Sequence, residues 1–211
     1  MKLRIPGWAR GQVVPSGLYF YQGVQGVQGV QGVLSPQGYE SVSSSRALGV
    51  QGVYVNGVAQ DLPIGEDGYV TIERKWKKGD QVTLSLEMQP RLVKANDKVE
   101  ADKNQVCIQR GPIVYCAEWA DNDFNIQSML LNQQPAFEIT PTDFTFNTTG
   151  EKATTFHHAM NTITTDAQAL SFDKSGRLVT QDVRLKLIPY YAWAHRGKGN
   201  MRVWLPIHLG L

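Results

Sequence analysis

A chain of 211 residues with 42% apolar and 19% charged side chains has the composition of a folded globular protein, which excludes intrinsic disorder and leaves room for one large domain or two of about a hundred residues each. Twenty-one Lys and Arg against nineteen Asp and Glu give a net charge of +2, and because the signs are interspersed, nucleic acid is not an expected partner. Apolar runs such as Val82-Thr83-Leu84-Ser85-Leu86 fall far short of the roughly 20 residues that span a bilayer, so no membrane partner and a soluble chain are expected.

The N-terminus, Met1-Lys2-Leu3-Arg4-Ile5-Pro6, is strand-like and lacks the apolar stretch and small-residue cleavage site of a secretory signal. The expectation is a cytoplasmic protein or a natural start lying upstream. Four consecutive Gln-Gly-Val triplets run from Gln22 to Val33, with another at Gln51-Gly52-Val53. A period of three fits neither strand nor helix, and the run is too short and too poor in proline for collagen, which leaves an expanded surface loop. At Val53-Tyr54-Val55 the alternation of a strand begins, and Asn56-Gly57 supplies the positive φ angles of a tight hairpin turn. Tyr69 to Arg74, a turn at Lys77-Lys78-Gly79-Asp80, and Gln81 to Met88 read as a second hairpin, with Val82, Leu84, Leu86 and Met88 on one face. Closely spaced short strands without helical patterns between them point to an antiparallel sandwich rather than a parallel α/β sheet.

A polar stretch, Lys94-Ala95-Asn96-Asp97-Lys98, marks the expected boundary between domains 1–98 and 99–211. Beyond it come strand candidates at Gln105 to Gln109, Pro112 to Ala117, Ser128 to Leu131, Ala136 to Ile139, Val183 to Ile188 and Met201 to Leu205. The Thr-, Ala- and Asn-rich stretch from Asn147 to Ser171 reads as long loops or a short helix. The predicted fold class is all-β: two consecutive antiparallel β-sandwich, jelly-roll-like domains.

Little here carries chemistry. Cys107 and Cys116 are the only cysteines; they lie symmetrically about Gly111-Pro112, so if that pair is a two-residue hairpin turn they face each other and a cross-strand disulfide can form, the competing and favoured reading being two small buried hydrophobes in a sheet. His157 and His158 are neighbours on a strand and so point to opposite faces, which is wrong for holding one metal. No Ser-His-Asp order, phosphate-binding glycine loop or histidine helix motif occurs. The run from Leu187 to Leu205 places Tyr190, Tyr191, Trp193 and Trp204 within fifteen positions. Such rings stack on sugars or fill interfaces between domains.

That run, together with Leu3-Arg4-Ile5-Pro6-Gly7-Trp8-Ala9, Val53-Tyr54-Val55-Asn56-Gly57, Gly68 to Trp76 and Gln109 to Cys116, resembles glycoside hydrolase family 127, the β-L-arabinofuranosidases. The segments fall in the same order over most of the chain, and the Gln-Gly-Val repeat is the main departure. The resemblance implies the middle and C-terminal sandwiches of that family without its N-terminal (α/α)6 barrel, where a zinc-bound cysteine nucleophile and a glutamate acid/base perform retaining hydrolysis. Neither Cys107 nor Cys116 matches the zinc-cysteine motif, so no catalytic residue, cofactor site or metal site is carried over, and zinc is expected only in the barrel, upstream of Leu3. The resemblance further implies a bacterial, periplasmic or cytoplasmic parent enzyme in plant-polysaccharide degradation. Its expected partners are the barrel, a second copy of the chain through dimer contacts, and L-arabinose-containing glycans.

Overall fold

Alternating apolar and polar residues make an all-β fold of curled antiparallel sheets. The computed structural model describes residues 1–22, 50–147 and 155–208; of the four consecutive Gln-Gly-Val triplets all but Gln22 lie outside them, whereas Gln51-Gly52-Val53 belongs to a strand. The strands of the first half are β1 (Lys2–Arg4), β2 (Tyr19–Gln22), β3 (Val50–Val55), β4 (Val58–Gln60), β5 (Tyr69–Thr71), β6 (Val82–Leu86) and β7 (Pro90–Ala95). Those of the second are β8 (Gln105–Arg110), β9 (Ile113–Glu118), β10 (Met129–Leu131), β11 (Glu138–Asn147), β12 (Thr155–Phe172), β13 (Leu178–Pro189), β14 (Met201–Arg202) and β15 (Leu205–Pro206). Helical structure among the described residues is confined to short 3-10 turns.

In the first half, a two-stranded sheet β1-β5 lies against a three-stranded sheet β4-β3-β6. Ile5, Ala9, Val53, Val55, Val70 and Ile72 are buried between them, flanked by Leu3, Trp8, Val82, Leu84 and Leu86. The Asn56-Gly57 turn is as the sequence predicts: Val55 pairs with Val58 across it, and both turn residues have positive φ, 51° and 78°. The second predicted hairpin does not form. β5 pairs with β1 and β6 with β3, because Asn56 captures the start of β6: its side-chain oxygen accepts from the Gln81 amide at 2.8 Å, and its backbone amide donates to the Gln81 carbonyl at 2.9 Å. Asp80 completes the junction by accepting from the Asn56 side chain at 2.8 Å and from the Lys77 amide at 2.9 Å. Local turn chemistry closes Lys77–Asp80, but a neighbouring turn decides which strand receives β6.

The second half is built on the strand order β10-β12-β13-β9-β8-β7-β2, with β11 beside β12, β14 beside β9 and β15 beside β8. β2 and β7, which precede residue 98, are thus hydrogen-bonded into this larger sheet. Gly111-Pro112 is a two-residue turn, Arg110 pairing with Ile113 and Gly111 adopting φ 57°. The β8–β9 ladder ends one pair later, at Gln109 and Val114; β8 then runs beside β7 and β15, and β9 beside β13 and β14. This divergence curls the sheet into two layers. Leu92, Val106, Ile108 and Leu205 from one layer meet Tyr115, Ala117, Ile163, Leu185 and Leu187 from the other, an apolar filling whose removal from water drives the layers together.

Divergence also settles the cysteines. Cys107 lies opposite Val93 on β7 and Cys116 opposite Ile188 on β13, so they do not face each other, and both are free and buried. The stretch read as loops or a short helix from residue 147 to 171 is instead largely β12 from Thr155 onward. Its Thr and Ala residues mimic loop composition, yet Thr162, Thr165, Ala167 and Ala169 are all buried, since β12 is paired with β11 or β10 on one edge and β13 on the other.

Candidate functional site

Strand alternation gives β9 two buried faces. Tyr115 and Ala117 point into the sandwich, whereas Cys116 points outward into a second cluster with Phe144, Met160, Ile188 and Ala192. Glu118, two positions after Cys116, follows it onto this outer face and is 1% exposed. A carboxylate so buried must be paired. Its partner is Arg196, whose guanidinium bonds Glu118 and also Asp121; Lys186 reaches Asp121 at 3.1 Å. Two cations and two anions therefore close on one another, and Arg196 lies 5.0 Å above the ring centre of Phe144. Burial acts to raise the Asp121 pKa, but hydrogen bonds and charge from Arg196 and Lys186 outweigh it and hold the carboxyl below its ordinary range. The same two acids keep Arg196 firmly protonated against its burial.

This ion cluster pins the segment that follows β13. The amide of Ala194 donates to Glu118 Oε1 at 3.3 Å, and Ala194 has φ 70°, a left-handed conformation uncommon outside glycine. Gly199 lies flat on Trp119, where any Cβ would collide with the indole ring, and the Trp119 amide donates to Asn200 O at 3.0 Å. Asn122 braces the strands that carry the cluster, its side chain donating to Glu118 O at 2.8 Å and Lys186 O at 3.0 Å.

Three of the four sequence-predicted aromatics stand on this pinned segment. Tyr190 and Tyr191 belong to a 3-10 turn, Tyr190–Ala192, and Trp193 follows; they are 45%, 54% and 39% exposed. Tyr190 and Trp193 are parallel within 8°, with centroids 6.0 Å apart. Tyr191 meets His158 edge-on at 5.8 Å, its hydroxyl 3.4 Å from Nε2. Trp204 does not join them and instead stacks on Tyr19 of β2 at 5.7 Å. Sequence reading missed Glu118, Asp121, Lys186 and Arg196. A usable signal existed, a glutamate ending the unbroken apolar run of Ile113 to Ala117, the pattern of a strand buried on both faces.

The thiols and imidazoles of the described residues do not gather into a ligand set of the kind zinc takes. Burial, reinforced by Asp102, pushes the Cys107 thiol up to about 12, and burial with Glu118 does the same to Cys116, also to about 12. Both therefore stay protonated, whereas a zinc ligand must be a thiolate. His157 and His158 make separate contacts, with Thr145 Oγ1 and Tyr191 OH. Among the described residues no three His, Cys, Asp or Glu side chains come together to hold a metal ion.

Comparison with known proteins agrees with this architecture. Residues 1–88 match the model for the middle domain of GH127 beta-L-arabinofuranosidase, and residues 90–206 match the glycoside hydrolase family 127 C-terminal domain. The non-reducing end beta-L-arabinofuranosidase of Bifidobacterium longum subsp. longum is 33% identical over 144 residues, covering 66% of this chain and 21% of its own length. A solved GH127 beta-arabinofuranosidase superposes with a TM-score of 0.75 and 49% identity over 99% of this chain and 27% of its own. A GH127 beta-L-arabinofuranosidase from Geobacillus stearothermophilus T6 gives 0.65 and 27% identity, over 98% of this chain and 26% of its own. The chain thus spans between 21% and 27% of the length of these relatives. Matched through both halves, it belongs to glycoside hydrolase family 127.

Proposed function

We propose that the chain is the non-catalytic accessory β region of a β-L-arabinofuranosidase-type glycoside hydrolase, supporting a catalytic barrel that belongs to the same protein and acts in plant-polysaccharide degradation. The observation that carries this reading is the extent of the match: the middle and C-terminal domain models together run from residue 1 to residue 206, while the solved GH127 enzyme is matched over 27% of its length. The chain's own chemistry is in keeping with support. Its buried carboxylates, Glu118 and Asp121, are consumed by Arg196 and Lys186, and its thiols are buried and held protonated. In this role the two supporting domains are those matched by residues 1–88 and 90–206, joined where Gly111 packs against Met88 and Trp8 and where Arg91 donates to Trp8 O at 3.3 Å.

The test is the parent protein with and without residues 1–211. Deleting them is expected to lower the barrel's melting temperature and with it the release of L-arabinose. A barrel that keeps its full stability and activity without them would overturn the supporting role.

A further inference from the structure

We propose that Tyr190, Tyr191 and Trp193 form a glycan-binding shelf that takes short, uncharged oligosaccharides containing L-arabinofuranose. The sugar class rests on the family reading above; the shelf rests on geometry. Single exposed apolar side chains are ordinary on protein surfaces. Here three large rings within four positions are 39–54% exposed, and the backbone that follows them is tied to the buried Glu118 and to Trp119. The ring faces are presented in advance, at the cost of a left-handed Ala194, by a bond to the buried Glu118 and by the close seat of Gly199 on Trp119. Pre-organisation of this kind lowers the entropy lost when a ligand settles, and non-glycine backbone in a sparsely populated region marks sites where geometry serves function.

Ligand chemistry follows from what the shelf offers. Tyr190 and Trp193 stack on one another within 8° of parallel, and the part of each ring that stays exposed offers an apolar face to the C–H side of a sugar ring. The Tyr191 hydroxyl and His158 Nε2, 3.4 Å apart, give hydroxyl-compatible donors and acceptors at the edge. Lys186 and Arg196 are neutralised by Asp121 and Glu118, so these neighbours provide no uncompensated charge for a phosphate or an acidic peptide. A protein partner is the less favoured occupant. Phe156, 54% exposed and two positions from His158 on the same face of β12, is again aromatic, whereas the exposed aliphatics Leu178 and Val179 stand with Phe172 at the far turn between β12 and β13.

The experiment is a calorimetric titration of the 211-residue chain with arabino-oligosaccharides, with cello-oligosaccharides as the contrasting arm. Saturable binding to the arabino series is expected, weakened about tenfold or more in Trp193→Ala and Tyr190→Ala, as for central aromatic anchors, and unchanged in Trp204→Phe. Circular dichroism establishes that each variant is folded. Should the alanine variants fail to fold, Tyr191→Phe keeps the ring while removing the hydroxyl, and a roughly threefold weakening is expected from the loss of one neutral hydrogen bond. No binding of the unaltered chain to either series at millimolar ligand, or binding untouched by Trp193→Ala or Tyr191→Phe, would overturn the proposal. Protection of Trp193 from a fluorescence quencher only when the barrel is attached, with no sugar binding, would likewise overturn it and assign the rings to the barrel interface. Either failure leaves the accessory reading standing, since that reading falls only if residues 1–211 prove dispensable to the barrel or catalytic themselves.

Discussion

The two faces of β9, β12 and β13 are built on different physics. On the inner face Tyr115, Ala117, Ile163, Ala167, Leu185 and Leu187 join one continuous apolar core. On the outer face the same strands offer Cys116, Met160 and Ile188, roofed by Ala192 and Phe144, and beside them Glu118 bonded to Arg196. Inner packing is non-directional and sums over area, so it fixes that the layers close. Outer packing is directional, because a half-buried guanidinium between two carboxylates tolerates little displacement, so it fixes how one loop is held. Fold resides mainly in the first face and presentation of the aromatic shelf mainly in the second.

Substitutions should separate the two faces. The largest loss is expected from Leu187→Ala, which empties a fully buried site in the inner core and should lower unfolding free energy by about 2–5 kcal/mol in chemical denaturation. Glu118→Gln should cost less, about 1–3 kcal/mol, because Arg196 retains Asp121 while losing a charged partner. Its signature lies elsewhere: proteolysis within residues 194–200 should accelerate before global unfolding does. If Glu118→Gln leaves that segment as resistant as before, the ion cluster does not pin the shelf.

Acid should act on the outer face. Asp121 has a folded pKa below its ordinary value of 3.8, so the stability it contributes is present above that value and is lost as pH falls through the lower folded value. Asp121→Asn should therefore be less stable than the unaltered chain at neutral pH and should show a flatter decline in melting temperature below about pH 4. Equal slopes for the two proteins would remove Asp121 from the account. At the smallest end, Arg184→Ala, breaking exposed pairs with Asp166 and Glu138 at 2.8 and 2.9 Å, should leave the denaturation midpoint unchanged within error. The cysteines supply a control for both faces: with thiols pushed up to about 12 by burial, neither should react with a thiol reagent at neutral pH until the chain unfolds.

Where a local rule decided structure, the sequence was readable. Asn56-Gly57 forms its turn because both residues take the required positive φ, and at Gly111-Pro112 the glycine alone takes it, with φ 57°. The middle and C-terminal resemblance was readable from segments spread along the chain. What escaped depends on contacts remote in sequence. β6 goes to β3 because Asn56 binds Gln81, 25 positions away, and β12 is a strand because its small residues are enclosed by neighbours on both edges. At the shelf, the ring cluster was visible as composition, but Trp204 leaves it for Tyr19, and the Glu118–Arg196 bond that holds it joins residues 78 positions apart. No spacing rule reaches that far.

The most direct measurement is a sensitive assay for L-arabinose with the purified 211-residue chain and a β-L-arabinofuranoside, run beside the full-length parent. The accessory reading predicts release by the parent and none by the chain above a buffer blank. Turnover by the chain alone, abolished by heat denaturation, would contradict it and require a catalytic site within these β domains.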